Sequence, residues 1–196
     1  MKNKKTILSL STFLGTCVLF LLISTAAWAA SPVIFYSDLT SGPNTGGQNS
    51  LGAFVTIWGN NFGSTQGAST VTVGGGAVAN IQAWSNTMIC FQLGSGAATG
   101  NIVVSVSGVS SNGIPFTVRS GNIYFVNPAA GTNGTGTYAS PFNHIYYAYS
   151  KPVVAGDTVY VMSGTISNQM EGYPGYHSLL CVNTSGTQTN PIAWVA

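Results

Sequence analysis

Charge is the scarcest property of this 196-residue sequence, which holds five Lys or Arg and three Asp or Glu. Lys2, Lys4 and Lys5 crowd the N-terminus, so the rest keeps Arg119 and Lys151 against Asp38, Asp157 and Glu171, a net charge of −1. The pI of about 8.5 therefore belongs to the leading segment. Nucleic-acid binding needs clustered cations to displace counterions from phosphates, and two isolated ones exclude it. Cysteine is nearly as rare. Cys17, Cys90 and Cys181 lie far apart, which fits small apolar side chains better than a disulfide framework. With only His144 and His177 beside the few acids, no metal-ligand spacing can be assembled. No metal and no cofactor are expected. Low charge does not mean disorder here, because 45% of the residues are hydrophobic, enough to drive burial of a core. The polar surface must then be Ser, Thr, Asn, Gln and Gly, a composition that suits extracellular all-β proteins.

Residues 1–29 divide into a basic start, an apolar run through Phe13 to Ile23, and the small-x-small triplet Ala27-Trp28-Ala29. That is the plan of a cleaved signal peptide. The rival, an uncleaved anchor, is diluted by Ser9, Ser11, Thr12, Gly15, Thr16 and Ser24. Gly15-Thr16 before Cys17 makes a poor lipidation site. A secreted or cell-surface protein is expected, with no membrane attachment after cleavage.

Leu51–Gly63 is the stretch around which the chain is organised. Phe54, Thr56 and Trp58 alternate with Val55 and Ile57, and the strand runs into the Gly/Asn turn Gly59-Asn60-Asn61-Phe62-Gly63. Pro32–Tyr36, Val71–Val73, Val78–Trp84, Thr87–Leu93, Asn101–Ser107 and Ile114–Val118 continue the series with turn residues between them. Seven short strands suit an antiparallel sandwich. These residues, with Gly42-Pro43, Gly46-Gly47, Gly74-Gly75 and the closing Ile114-Pro115-Phe116-Thr117-Val118, resemble the IPT/TIG family of immunoglobulin-like domains. The resemblance implies a spacer, a carbohydrate-associated module or a receptor part over residues 30–119. The DNA-contacting use known in the family depends on basic loops that are absent here. Trp58 and Trp84 each sit in an alternating strand, where core packing is the common fate and a sugar-stacking platform is the alternative.

The pattern changes at Arg119-Ser120-Gly121-Asn122. Ile123–Val126 reads as a strand, and Ser140-Pro141 as the start of a short helix carried on Phe142, Ile145, Tyr146 and Tyr149 until Pro152. Thr158–Met162, Ser178–Val182 and Pro191–Ala196 read as further strands. Val126-Asn127-Pro128, Ser140-Pro141-Phe142, Gly156–Val161 and Gly164-Thr165 resemble the entry of a right-handed parallel β-helix of the pectate-lyase-like superfamily. The fold class expected is therefore all-β, an immunoglobulin-like sandwich followed by the capping helix and first coil of a parallel β-helix over residues 120–196. About three repeats are needed before a solenoid buries a core, so either truncation or a partner chain on the open end is expected. The lone coil is also expected to exchange amide protons quickly while the sandwich folds by itself. The catalytic and calcium-binding residues of the resembled enzymes lie on later coils, and none is carried over.

The remaining motifs weigh little. Gly134-Thr135-Gly136-Thr137-Tyr138-Ala139 fits a dinucleotide fingerprint in letters, but seven residues separate it from its strand. Asp157 reads as a turn residue accepting backbone N–H bonds. Glu171 and His177 with Tyr173 and Tyr176 form a single acid–base and aromatic cluster, a candidate sugar-contact loop without the second carboxylate that a glycosidase needs. Asn133 and Asn183 are glycosylation sequons by pattern. No catalytic residue is expected. The expected function is a non-catalytic module of a polysaccharide-acting or adhesive protein, with polysaccharide or cell-surface glycan as partner. The alternative is the N-terminal part of a polysaccharide lyase or hydrolase whose active site lies beyond residue 196.

Overall fold

The computed structural model describes residues 30–145, 153–164 and 184–196. The leader, most of the expected helix, Ser178–Val182, and Tyr173, Tyr176, His177 and Glu171 lie outside them. Among the described residues no helix is long and apolar enough to cross a membrane.

Ten strands fall between residues 33 and 118: β1 (Val33–Ser37), β2 (Ser41–Gly42), β3 (Phe54–Asn60), β4 (Thr70–Val73), β5 (Gly76–Ala77), β6 (Asn80–Trp84), β7 (Met88–Gln92), β8 (Gly100–Val106), β9 (Val109–Ser110) and β10 (Ile114–Val118). They form two sheets, one ordered β1-β3-β7-β6 and the other β2-β10-β8-β4-β5 with β9 on β8. Period-2 alternation decides what goes inside. Val55, Ile57, Ile89 and Phe91 from one sheet and Val71, Val73, Ile102, Val104 and Phe116 from the other are buried in one core, each contributing about 1.5–3 kcal/mol. Phe54, Thr56, Trp58, Met88 and Cys90 stand on the opposite face of the first sheet, half-buried. Gly59 lets β1 close on β3, because a Cβ there would run into the Val33 carbonyl and the Phe62 ring. The seven strands expected are present in an all-β, immunoglobulin-like sandwich. It is not purely antiparallel, since β2 pairs with β10 in parallel.

Three more strands, β11 (Ile123–Val126), β12 (Thr158–Val161) and β13 (Ala193–Val195), make a parallel sheet in that order. Register is kept across it: Ile123 faces Thr158, which faces Ala193, and Tyr124, Val159 and Trp194 form the next row. Phe125 and Tyr160 join the core cluster of the sandwich. Val126 and Val159 turn the other way, into a second cluster with Phe142 and Val153.

The helical reading of Ser140-Pro141-Phe142 needs correction. Phe142 donates its N–H to the Phe125 carbonyl (3.0 Å) and accepts from the Asn127 N–H (2.7 Å), bridging beside Val126. Its ring is buried against Tyr124. Those extended backbone bonds and that burial outweigh the local capping signal.

Candidate functional site

Only Arg119-Ser120-Gly121-Asn122 separates β10 from β11, and the chain braces this short passage heavily. Arg119, 8% exposed, donates from Nε to the Ser41 hydroxyl (3.0 Å). Desolvation lowers its pKa from the ordinary value, partly offset by the Asp157 carboxylate. Asp157, fully buried, accepts from the Asn122 N–H (2.8 Å), the Asn122 amide (3.0 Å) and the Val154 N–H (2.9 Å). It is a turn residue that also ties β12 to the entry of β11. Further along, the Tyr160 hydroxyl donates to the Phe54 carbonyl (2.8 Å). Burial pushes that phenol far above its usual range.

This bracing lays the parallel sheet against the outer face of β3 and β7, and the two surfaces do not cover each other completely. Among the described residues they leave an open, mostly apolar cleft of about 540 Å³. One wall is the sheet face, with Asp38, Phe54, Thr56, Trp58, Met88 and Cys90; the other carries Phe125, Tyr138, Tyr160 and Met162, closed off by Val195 and Ala196. Rings line it in sequence. Phe54 meets Tyr160 edge-on (5.7 Å), Tyr160 stacks on Phe125 (5.6 Å), and Phe125 meets Tyr138 edge-on (5.2 Å). On the open side Trp58 stacks with Tyr36 at 5.0 Å and 17°. Tyr36 is 56% exposed and Phe35 beside it 63%, because a bulge between Ile34 and Tyr36 breaks the alternation of β1.

The polar groups are few. Asp38 accepts through Oδ1 from the Leu39 N–H (2.7 Å) and the Thr56 N–H (2.8 Å). Crowding by the cleft wall raises its pKa against those hydrogen bonds, although the side chain still reaches solvent. Burial likewise raises the Cys90 thiol. No three His, Cys, Asp or Glu cluster as a metal site among the described residues.

The two candidate tryptophans therefore part company. Trp58 stands on the outer face at the cleft. Trp84 packs against the sandwich core and donates its indole N–H to the Phe62 carbonyl (3.1 Å), a bond that accounts for its polar atom. Tyr36, Asp38, Tyr138 and Tyr160 are site residues that the sequence pattern does not single out. The one signal pointing to them is the Phe54-Thr56-Trp58 alternation, which implies a second, apolar face on a strand whose first face is committed to the core.

Residues 39–118 match the IPT/TIG domain. The IPT/TIG domain is a non-catalytic, immunoglobulin-like module, and its matched span runs from just after β1 to the end of β10. Two solved structures from Bacteroides thetaiotaomicron are similar in part. An auxiliary nutrient binding protein shares 18% identity over 45% of this chain and 21% of its own, at a TM-score of 0.38. A candidate phosphatase shares 19% identity over 45% of this chain and 18% of its own, at a TM-score of 0.37. The chain thus spans about a fifth of each, and neither likeness bears on function. No curated protein matches the sequence.

Proposed function

We propose that this chain is an exported, non-catalytic module of a polysaccharide-acting or adhesive protein, built from an IPT/TIG sandwich and the start of a right-handed parallel β-helix. Its outer sheet face contacts a glycan. The observation that carries this reading is the Tyr36–Trp58 stack, which continues an aromatic strip past the point where Tyr160 stops covering it. A sandwich face turned to water would ordinarily be polar, and a bare aromatic strip with polar neighbours marks a contact surface. The in-register parallel sheet of β11, β12 and β13 supports the β-helix start. It equally favours a second reading, in which the same residues are the N-terminal part of a polysaccharide lyase or hydrolase.

The test is retention of the secreted chain on immobilised polysaccharides. Trp58→Ala is expected to weaken retention roughly threefold to tenfold, the worth of one aromatic stacking contact. Trp84→Phe is expected to leave retention unchanged while lowering thermal stability. Equal retention of wild type and Trp58→Ala would reject the glycan contact. Release of unsaturated oligosaccharides by the chain would reject the non-catalytic role.

A further inference from the structure

The cleft carries information about the chemical class of its ligand. It lies beside the Tyr36–Trp58 stack, so any ligand class assigned to it rests on the glycan reading. At about 540 Å³ it falls within the roughly 300–1,000 Å³ range of concave small-ligand sites. That suits a few sugar units of a chain better than a flat protein partner.

Charge then separates the candidates. Arg119 is the single Lys or Arg among the described residues. It is buried, with its Nε engaged by Ser41, and it does not line the cleft. The cleft does hold a carboxylate, Asp38. Uronic acids and sulfated sugars place anionic groups along their length, and their recognition relies on Arg or Lys forks and clamps. Here an anionic chain would meet Asp38 as a like charge beside apolar side chains, with no cation among the described residues of the wall to compensate, and desolvating its own charge would be costly. A neutral sugar has no such charge to desolvate. Its C–H-rich face can lie against Trp58 and Tyr138, and its hydroxyls can donate to the Asp38 carboxylate, which also accepts the Leu39 and Thr56 N–H groups at Oδ1 and is contacted by the Thr56 side chain.

The geometry points to a neutral polysaccharide as the ligand class of this cleft, in preference to acidic polysaccharides. The disfavoured class is the one that a β-helix resembling pectate lyases would suggest, so the module and the β-helix would differ in the sugars they meet.

Native gel electrophoresis of the secreted chain in gels containing β-glucan, galactomannan, polygalacturonate or alginate tests this. Retardation by a neutral polymer and by neither acidic one is expected, unaffected by added salt. Retardation by polygalacturonate or alginate alone overturns the neutral class and leaves the glycan contact standing. Retardation by none of the four, or self-association of the chain through this face in sizing experiments, overturns both. Asp38→Asn keeps the Oδ1 acceptor for the Leu39 and Thr56 N–H groups but replaces the second acceptor oxygen with an N–H donor, and is expected to weaken neutral-chain retardation by roughly threefold to tenfold. A gain of about tenfold in retardation by polygalacturonate or alginate in that variant, equivalent to relief of a repelled charge, with neutral-chain retardation unchanged, would overturn the neutral class even where the wild type binds acidic chains weakly.

Discussion

The sandwich and the parallel sheet solve the burial problem in different ways. Every long strand of the sandwich has one face in a shared core and one face outside it, so the two sheets satisfy each other. The parallel sheet has no such partner of its own. Its central strand β12 is buried from Thr158 to Tyr160, with Tyr160 turned to the sandwich and Val159 to the second cluster, as parallel sheets require cover on both faces. One region is self-sufficient, while the other borrows a wall. This alters the expectation that the second region exchanges quickly. β12, held between two clusters, should exchange slowly, and only as long as the junction holds.

The strongest way to break that dependence is Asp157→Ala. It leaves the Asn122 and Val154 N–H groups without their buried acceptor and is expected to cost about 3 kcal/mol. Hydrogen exchange should then accelerate across Thr158–Val161 while Val55, Ile57 and Phe91 stay protected. Equal acceleration in both regions would mean that the two unfold as one unit. A milder probe is Tyr160→Phe, which keeps the ring on Phe125 and removes the hydrogen bond to the Phe54 carbonyl. A loss of about 1 kcal/mol is expected, with β12 exchanging faster and β8 unchanged.

The smallest effect concerns pH. Burial raises the Asp38 pKa above its unfolded value, so the folded chain binds that proton more readily than the unfolded chain does. The stability contributed by the protonated carboxyl is present at acidic pH and is lost as pH rises from the ordinary carboxylate range through the raised value. Asp38→Asn should flatten this part of the stability profile and raise the melting temperature slightly at neutral pH. A variant that melts lower at neutral pH and tracks wild type at acidic pH would reverse the sign.

The sandwich was readable because its information is local: alternation in β3 and Gly/Asn turns between short strands specify inside and outside within a few residues. The parallel strands were readable for the same reason. The pairing of Phe142 with β11 was not, because Ser140-Pro141 is an ordinary helix start in isolation and the competing bonds come from Phe125 and Asn127. The cleft was half-legible. Phe54, Thr56 and Trp58 fall on one face by counting, but Tyr36 joins Trp58 only through a bulge that shifts β1 by one residue. Tyr160 sits in Thr158-Val159-Tyr160-Val161, a run that would look the same packed against anything. Which surfaces meet depends on the four residues of the junction, and their geometry is set by contacts distant in sequence.

Gly121 and Gly156 lie back to back in that junction. A Cβ on Gly121 would strike the Gly156 carbonyl, and one on Gly156, where φ is +101°, would press on the Ser120 carbonyl at 2.7 Å. Each obstacle is main chain, so no change of neighbouring side chain can relieve it. In a library of random variants selected for folding, most positions of this glycine-rich sequence could drift through compensating pairs. These two should instead come back as glycine independently of each other, a pair of silent positions whose constancy reports the distance between two backbones and says nothing about any ligand.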